Sequence, residues 1–371
     1  MTAQVADRFT QLLGRAARRL GIAGEDAVIT LARQFGIGGY VARHVYGDNS
    51  EAYRAETRAR RLLESVMLKQ ATDVSSVLTK SDITHFFLKG VVVARWLYEP
   101  GERHFVDLDL CIPPEQRGPA MDALAAVDYE ALPETTQGGP AALRPGVVLV
   151  RRLARTAMEA VNLDVRWGVE PIERLLPRSD TPMPDAVWGR LTRVGSLPSP
   201  DPAHHAALLL HHLVHHDLLH IRSLLDFILL LQRLPAHAGG EFERIAGQLG
   251  VLRAARAVSA ALRRDLGVET GPGVGPAPRD LRGRRLEKML QLEGWLVWAG
   301  AATAQEHVAV TPRRILRRTL LLDRIGSARK LLADAVWPPS EFVRWRWPEA
   351  GSMGRARAKH LTSAMRKIAG V

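Results

Sequence analysis

Cysteine is almost absent from this chain. The 371 residues include a single cysteine, Cys111, so no internal disulfide can form. Cys111 occupies an apolar position of a predicted strand, which favours a small buried hydrophobe over a nucleophile. The amino terminus lacks a basic segment followed by an apolar stretch, and no apolar run is long enough to span a bilayer. We therefore expect a cytoplasmic protein without a membrane span.

Two acidic residues stand out in the segment 103–112, where apolar and acidic positions alternate among strand-forming residues. In a strand, alternate side chains share a face, so Asp107 and Asp109 are predicted to point the same way. Adjacent carboxylates repel each other unless a cation lies between them. Mg²⁺ prefers such oxygen ligands together with phosphate oxygens. The pattern indicates metal-assisted phosphate chemistry, although an isolated Asp-x-Asp also occurs in turns and on solvated strands.

The flanking segments strengthen this interpretation. Residues 86–98 read as an apolar strand, a Lys89-Gly90 turn and a helix. A glycine at such a turn lets backbone N–H groups approach a phosphate, and the helix amino terminus adds positive charge. Lys89 is positioned to contact a triphosphate. Downstream, Asp164 lies in another alternating segment and is a candidate third carboxylate from an adjacent strand; the alternative is a solvated strand position.

These motifs resemble those of a known family, the uncharacterised nucleotidyltransferase-like proteins of the polymerase-beta-like nucleotidyltransferase superfamily. The family signature is similar to Leu88-Lys89-Gly90, Tyr98, Arg103 and Val106-Asp-Leu-Asp-Leu110. The superfamily's glycine turn, D-x-D strand and later third acid match Gly90, Asp107, Asp109 and Asp164. Residues 208–231, which contain His212, His216, Arg222 and Asp226, resemble the helical segment that follows the catalytic domain in this family.

The resemblance implies two-metal nucleotidyl transfer from an NTP, with ATP as the first choice, to a hydroxyl acceptor. Asp107, Asp109 and Asp164 are the implied Mg²⁺ ligands, and Asp164 is also expected to help activate the hydroxyl. The other residues implied to lie near the nucleotide or substrate are Lys89, Gly90, Arg103, Arg166, His212 and His216. A salt bridge that orients Asp107 is an equally good interpretation of Arg103.

Two departures from the family pattern affect the site. Gly90 is followed by Val91, whereas the wider superfamily has a second glycine or a serine at this point, so a phosphate-binding hydroxyl is missing. The third-acid segment often reads acid-x-His-Trp in relatives, and here it reads Asp164-Val-Arg166-Trp167. Arg166 would share the face of Asp164, where it could bind a phosphate or neutralise the aspartate and weaken metal binding.

The overall pattern predicts an α+β protein with a small mixed-sheet core. We expect an N-terminal helical segment (1–80), a nucleotidyltransferase core (81–195) and a larger helical C-terminal region with a basic end (196–371). Within these, the sequence predicts a long helix over 51–79, a helix over 114–127, and helices from 202 to about 266. Glycine- and proline-rich segments at 137–145 and 271–278 predict loops, and 194–202 reads as a linker.

Histidines cluster between residues 204 and 220, which hold seven of the 13 in the chain. His211/His215, His212/His216 and His216/His220 have the i,i+4 spacing that places two side chains on one helix face. Two such histidines and a carboxylate would make a zinc site, but no His-Glu-x-x-His pattern is present. The alternatives are a helix packed beside the core with some histidines buried, or His212 or His216 bordering the substrate cleft.

Positive charge is concentrated near the C-terminus. The chain has a formal net charge of +12, and residues 311–371 contain 14 Lys and Arg against 4 Asp and Glu. Interleaved tryptophans in this region could stack on nucleic-acid bases or rest on an anionic membrane surface. The alternative is a solvated helix whose arginines reflect the composition of the whole chain. We expect a nucleotide-bearing or acidic acceptor at least as readily as nucleic acid.

Three functions remain open from the sequence. The first is Mg²⁺-dependent nucleotidyl transfer to a small molecule, sugar or peptide, as in natural-product tailoring. The second is phosphoryl transfer from the same triphosphate site, with attack at a different phosphorus. The third is a catalytically inactive relative that serves as a binding module, against which the retention of three acids argues.

Overall fold

The computed structural model describes residues 3–24, 26–133, 145–153, 158–174, 182–268, 274–301 and 312–369. Most of the predicted loop at 137–145 and the start of the one at 271–278 lie outside these ranges.

Four helices precede the sheet. They are α1 (Ala3–Arg19), α2 (Ala27–Gln34), α3 (Gly38–Tyr46) and α4 (Glu51–Lys80). The long helix predicted for 51–79 is therefore confirmed as α4. It begins at Ser50, whose Oγ accepts a hydrogen bond from the Tyr53 backbone N–H at 3.1 Å and so satisfies one of the donors exposed at a helix start.

A mixed five-stranded sheet forms the centre of the predicted core and confirms the α+β class. Its strands are β1 (Phe86–Leu88), β2 (Asp107–Cys111), β3 (Glu130–Ala131), β4 (Gly146–Arg152) and β5 (Ala160–Arg166), arranged in the order β1-β2-β5-β4-β3. Strands β2 and β5 run parallel, and the other neighbours are antiparallel. Helix α5 (Gly90–Leu97) joins β1 to β2, and α6 (Arg117–Ala125), after a 3-10 turn, follows β2.

The two faces of the sheet meet different partners. Leu108 and Leu110 are fully buried in a cluster that also contains Leu163 of β5 and Met67 of α4. Because side chains alternate along a strand, Asp107 and Asp109 point to the opposite face. Cys111 shares that face and is buried in the second, larger cluster, together with residues of the C-terminal helices. The acidic face is thus directed at the helical region.

The segment predicted as a linker at 194–202 is instead mostly a strand, and that prediction is wrong. After the short helix α7 (Asp185–Trp188), β6 (Leu191–Val194) and β7 (Leu197–Pro200) form an antiparallel hairpin in which Val194 pairs with Leu197. The two-residue turn starts at Gly195, whose φ of +62° suits glycine. Proline was read as a breaker, but a two-stranded hairpin tolerates proline at its edges. Strand β7 contacts β1 beside the site.

Ten helices follow the hairpin in the part of the chain that the structure describes. They are α8 (Pro202–His215), α9 (Ile221–Leu231), α10 (Gly239–Gln248), α11 (Leu252–Leu266), α12 (Leu281–Met289), α13 (Leu292–Ala301), α14 (Pro312–Leu321), α15 (Ala328–Val336), α16 (Ser340–Arg346) and α17 (Met353–Ala369). None of the helices among the described residues combines the length and the apolar character needed to cross a membrane.

Helices from the two ends of the chain share one hydrophobic core. Helix α1 contacts α13, and Phe9 and Leu13 are fully buried in the same cluster as Trp295 and Leu296. The domain boundaries after residues 80 and 195 stay predictions.

A buried ion pair ties the sheet to the helical region. Arg103, just before β2, donates from Nη2 to Asp226 Oδ2 of α9 at 2.7 Å and from Nε to Oδ1 at 2.9 Å. Tyr98 Oη donates to the same carboxylate at 2.8 Å. Arg103 is 4% exposed and Asp226 is fully buried. The predicted salt bridge from Arg103 to Asp107 is therefore wrong, and a phosphate contact does not fit a guanidinium committed to a buried carboxylate.

We predict that Asp226→Asn lowers the free energy of unfolding by about 3–5 kcal/mol, because it leaves the buried Arg103 charge without its counter-ion. Urea unfolding of both proteins measures the difference. Asp122→Asn, on the exposed side of α6, is the matched control and should change stability by less than about 0.5 kcal/mol. Equal stabilities for Asp226→Asn and the wild type would contradict the assigned role of the pair.

Candidate active site

Three aspartates converge on one face of the sheet. Asp107 and Asp109 are two residues apart on β2, so their side chains leave the strand on the same side. Strand β5 pairs with β2 in parallel, and Asp164 is the register partner of Asp109. Side chains of register partners share a face, so Asp164 joins the two acids from the adjacent strand. The structure therefore brings together the three carboxylates that the sequence suggested.

Two cations of the chain neutralise part of this acidic cluster. Lys89 Nζ donates to Asp109 Oδ1 at 2.6 Å, and Arg166 Nε and Nη2 donate to Asp164 Oδ2 at 2.9 and 2.5 Å. Arg166 was expected either to bind a phosphate or to neutralise Asp164, and in the structure it pairs with Asp164. Lys89 contacts a carboxylate here, and its contact with a triphosphate stays a prediction.

The three acids differ in how far their charge is compensated. Burial, with repulsion from Asp109 and Asp164, raises the pKa of Asp107 above its usual range, and Lys89 and Arg222 only partly offset this. Burial would also raise the pKa of Asp109, but Lys89 and Arg166 hold it below its usual range. Asp107 is thus the carboxylate for which an added cation would be most favourable.

A strained turn places Lys89 over the acids. Lys89 has a φ of +48°, which costs a residue with a side chain about 1–3 kcal/mol. Its backbone N–H donates to His205 Nε2 at 3.3 Å, and His205 Nδ1 lies 3.1 Å from Ser199 Oγ of the hairpin. Since Nε2 accepts, Nδ1 carries the proton and donates to Ser199, whose hydroxyl donates to the Pro200 carbonyl. This chain requires a neutral imidazole, and burial lowers the pKa of His205 to about 4.

Close packing against Phe105 accounts for the glycine at position 90. A Cβ on Gly90 would lie 3.2 Å from the Phe105 side chain, so the start of α5 can approach the segment before β2 this closely only without a side chain. Gly90 begins α5, whose amino terminus adds positive charge beside Lys89.

Arg166 belongs to a longer polar network that the sequence did not reveal. Its Nη1 lies 3.9 Å from Glu170 Oε1, and Glu170 Oε2 lies 2.5 Å from His215 Nε2 of α8. Burial opposes ionisation of Glu170, but His215 and Arg166 hold the pKa of this carboxyl well below its usual range. The network positions Arg166 from the side opposite Asp164.

Arg222 is a further cation at the site, found in the sequence only as part of a family-like helical segment. Its Nη1 donates to the His104 carbonyl at 2.8 Å, and its charge lowers the pKa of Asp107. Arg222 lines a cleft of about 560 Å³ that also has Arg33, His104 and His220 on its walls. The cleft therefore has two arginines on its walls, and Arg222 links it electrostatically to Asp107.

Histidines of α8 and of the following turn lie near Lys89 and Arg166. His212 lines a small cavity of about 40 Å³ with Lys89 and Arg166, and its position beside a substrate cleft stays a prediction. The prediction that His216 and His220 share a helix face is wrong: α8 ends at His215, and positive φ angles at Asp217 and Leu218 turn the chain before α9. The turn nevertheless stacks the His216 and His220 rings with centroids 4.1 Å apart.

The basic C-terminal region is partly structural. Arg318 is fully buried, and its Nε donates to Asp217 Oδ1 at 2.9 Å. The Arg357 guanidinium lies 4.1 Å from the ring centroid of Trp337, a tryptophan that is 59% exposed. Nucleic-acid binding by this region stays a prediction.

The donor set fits a divalent metal of the Mg²⁺ class. It consists of carboxylate oxygens from adjacent strands, which hard cations prefer, and Asp107 carries charge that the chain compensates only in part. Lys89 and Arg166 occupy two of the three carboxylates, so bound metal would have to replace or share these contacts.

Comparison with known proteins identifies the sequence family. The family model described as "uncharacterised nucleotidyltransferase" matches residues 23–264, which is more than half of the chain. The match includes the whole sheet, the hairpin and helices α8 to α10. No curated protein matches the chain.

We predict opposite stability changes for the two aspartates of β2. Asp107→Asn should raise the free energy of unfolding at pH 7 by up to about 1 kcal/mol, because it removes a repelled charge. Asp109→Asn should lower it by about 1–3 kcal/mol, because Lys89 loses its partner. Chemical denaturation in metal-free buffer measures both. Equal effects of the two substitutions would show that Lys89 does not discriminate between these carboxylates.

We also predict that His205 makes a pH-dependent contribution to stability. Its pKa is about 4 in the folded protein against 6.5 for an ordinary histidine, so between these values the unfolded chain takes up the proton. The stability of the wild type relative to His205→Gln should be fully retained above pH 6.5. It should fall by up to about 1.4 kcal/mol per pH unit as the pH drops from 6.5 towards 4.

Denaturation of both proteins across this pH range provides the measurement. His237→Gln, at an exposed position, is the control and should show a pH-independent difference from the wild type. A flat difference for His205→Gln would mean that the imidazole titrates alike in both states.

Proposed function

We propose that this chain, which belongs to the uncharacterised nucleotidyltransferase family, transfers a nucleotidyl group from an NTP to a hydroxyl of a small molecule, sugar or peptide. The observation that carries the proposal is the register of β2 and β5, which sets Asp164 beside Asp109 on the face that Asp107 shares. Asp107, Asp109 and Asp164 would hold Mg²⁺ in this activity. The bound metal would supply positive charge to the triphosphate oxygens.

The cations around the acids suit a triphosphate. Lys89 and Arg166 lie directly on the carboxylates, and Arg222 approaches from the 560 Å³ cleft. Backbone N–H groups at the start of α5, beginning at Gly90, add donors without a charged side chain. We assign the cleft to the nucleotide, because Arg33 and Arg222 line it and the charge of Arg222 also acts on Asp107.

In the reaction, an acceptor hydroxyl oxygen would form a bond to the α-phosphorus and pass its proton to Asp164, while the bond from that phosphorus to the oxygen bridging to the β-phosphorus would break and release pyrophosphate. Negative charge builds on the departing pyrophosphate, and Lys89, Arg166 and Arg222 are placed to stabilise it. Asp164 keeps its expected role near the acceptor hydroxyl, which requires Arg166 to release its Oδ2.

The two salt bridges imply an exchange of partners when substrate binds. Without nucleotide, Lys89 holds Asp109 and Arg166 holds Asp164. A metal–triphosphate complex offers a cation for each carboxylate and anions for Lys89 and Arg166. Because Lys89 and Arg166 gain phosphate partners when they leave the carboxylates, we expect the acids to bind metal more strongly with nucleotide than without it.

The same salt bridges favour a second candidate, a catalytically inactive relative. In that case Lys89 and Arg166 permanently take the place of the metal, and the cleft serves only for binding. A third outcome, phosphoryl transfer, would use the same residues with attack at another phosphorus.

We predict that calorimetric titration with ATP, GTP, CTP or UTP shows binding by the wild type in the presence of Mg²⁺ and at least about tenfold weaker binding in its absence. The Asp107→Asn/Asp109→Asn double variant should lose the Mg²⁺-dependent part, because it lacks the carboxylates of β2. Asp122→Asn is the matched control and should bind like the wild type. Mass spectrometry of acceptors incubated with the preferred NTP then identifies the group transferred.

The outcomes separate the three candidates. A mass increase of one nucleoside monophosphate supports the proposal, and an increase of one phosphate supports phosphoryl transfer. Nucleotide binding that is indifferent to both Mg²⁺ and the double substitution favours the inactive relative. No NTP binding at all would overturn the assignment of the cleft.

A further inference from the structure

We propose that His212, His216 and His220 form a second metal site, separate from the aspartates, which takes a late first-row divalent cation such as Zn²⁺. Each residue offers one ring nitrogen, and these three nitrogens lie within 4.8 Å of one another. Family membership and the three aspartates do not require this site, so it is independent of the proposed function.

The backbone around the three histidines is held in place by distant parts of the chain. The turn that brings His220 back to the end of α8 contains Asp217 and Leu218, both with positive φ. Asp217 accepts a hydrogen bond from the fully buried Arg318 of α14, and the Leu218 carbonyl accepts one from Trp295 Nε1 of α13. Two left-handed residues in succession are costly and persist because these contacts fix them. The turn that sets the spacing of the imidazoles is therefore specified by the fold.

The three rings lie close enough together to bind one ion after their side chains turn. The ring centroids of His212 and His216 are 4.4 Å apart, those of His212 and His220 are 5.4 Å apart, and His216 and His220 stack with an interplanar angle of 13°. Zinc–nitrogen distances of about 2.0–2.1 Å place tetrahedral ligand atoms roughly 3.4 Å apart. An imidazole lone pair lies in the ring plane, so the stacked rings of His216 and His220 must turn out of their parallel arrangement before both can bind one ion.

The chemistry of the donors selects the class of metal. Neutral imidazole suits Zn²⁺, Ni²⁺, Cu²⁺ and Co²⁺, whereas Mg²⁺ requires oxygen ligands. Burial keeps His212 and His216 uncharged near neutral pH by lowering the pKa of each imidazole, so their lone pairs are free to bind metal. Three protein ligands leave a fourth coordination position, and His220 also lines the cleft next to Arg222. Such a site resembles a catalytic zinc site in its ligand number more than a closed structural one.

Positive charge near the three histidines lowers their affinity for any cation. Lys89 and Arg166 both act on His212 and His216, and His215 acts on His216. Lys89 is held to Asp109 and Arg166 to Asp164, so their charges are partly neutralised by the acidic face. A cation that binds the imidazoles must therefore overcome the repulsion that remains. Mg²⁺ has little affinity for nitrogen ligands and would not overcome it.

Cobalt provides a direct readout, because Co²⁺ in a nitrogen-rich site of low coordination number absorbs visible light. The full chain is stripped with a chelator and titrated with CoCl₂ in excess Mg²⁺. We expect one equivalent to bind with a visible band in the wild type and in Asp107→Asn/Asp109→Asn. His216→Ala and His220→Ala should bind at least about tenfold more weakly, and exposed His237→Ala should match the wild type.

Thermal unfolding keeps the test decisive if a variant is less stable. Zn²⁺ should raise the Tm of the wild type and of His237→Ala, but not that of a folded His220→Ala variant, whose far-ultraviolet circular dichroism confirms its helices. The proposal is overturned if the wild type gives no Co²⁺ band, or if His216→Ala and His220→Ala bind like the wild type. A band that is lost in the double aspartate variant but kept in His216→Ala and His220→Ala would also overturn it, because the metal would then lie at the acids.

Discussion

Three carboxylates on one face of a small sheet, of which Asp109 is buried and the other two are half-buried, are the constraint on which this structure depends. Asp107, Asp109 and Asp164 are brought together by strand register, and their mutual repulsion must be offset by nearby cations. Lys89 reaches Asp109 from a turn whose strain is supported by a hydrogen bond to His205. Arg166 reaches Asp164 and is held on its other side by Glu170. The surrounding structure is organised to supply and orient these charges.

The helical region completes the site, and the sheet alone would not. Arg222, His205 and His212 all come from α8 or α9, which face the acids across the second hydrophobic cluster. The buried pair of Arg103 and Asp226 fixes this interface, and the Tyr98 hydroxyl adds a third group to it. Residues of the family-like signature thus have different structural roles. Asp107 and Asp109 belong to the acidic cluster, whereas Tyr98 and Arg103 hold the two layers together.

The sequence predicted local features well and long-range partners poorly. Alternation at Asp107 and Asp109, the Lys89-Gly90 turn and the long helix α4 follow from spacing within a few residues, and the structure has each of them. The partner of Arg103 lies 123 residues away, which no local pattern encodes. The hairpin at 191–200 was missed because its prolines obscured a two-residue turn at Gly195. The turn after α8 depends on Arg318, about a hundred residues downstream, so helical spacing alone misplaced His220.

In the proposed activity, the two salt bridges Lys89–Asp109 and Arg166–Asp164 would open, and each of their charged groups would bind a new partner. A site that bound metal strongly without substrate would take the aspartate partners from Lys89 and Arg166 and leave these half-buried cations poorly compensated, which is costly. A site that bound the triphosphate without metal would leave Asp107 and Asp109 as uncompensated anions beside it. In the proposed activity, only the metal and nucleotide together would satisfy both sets, since the metal would take the carboxylates and the phosphates would take Lys89 and Arg166. The two ion pairs would then couple the two ligands, so that neither would bind tightly alone.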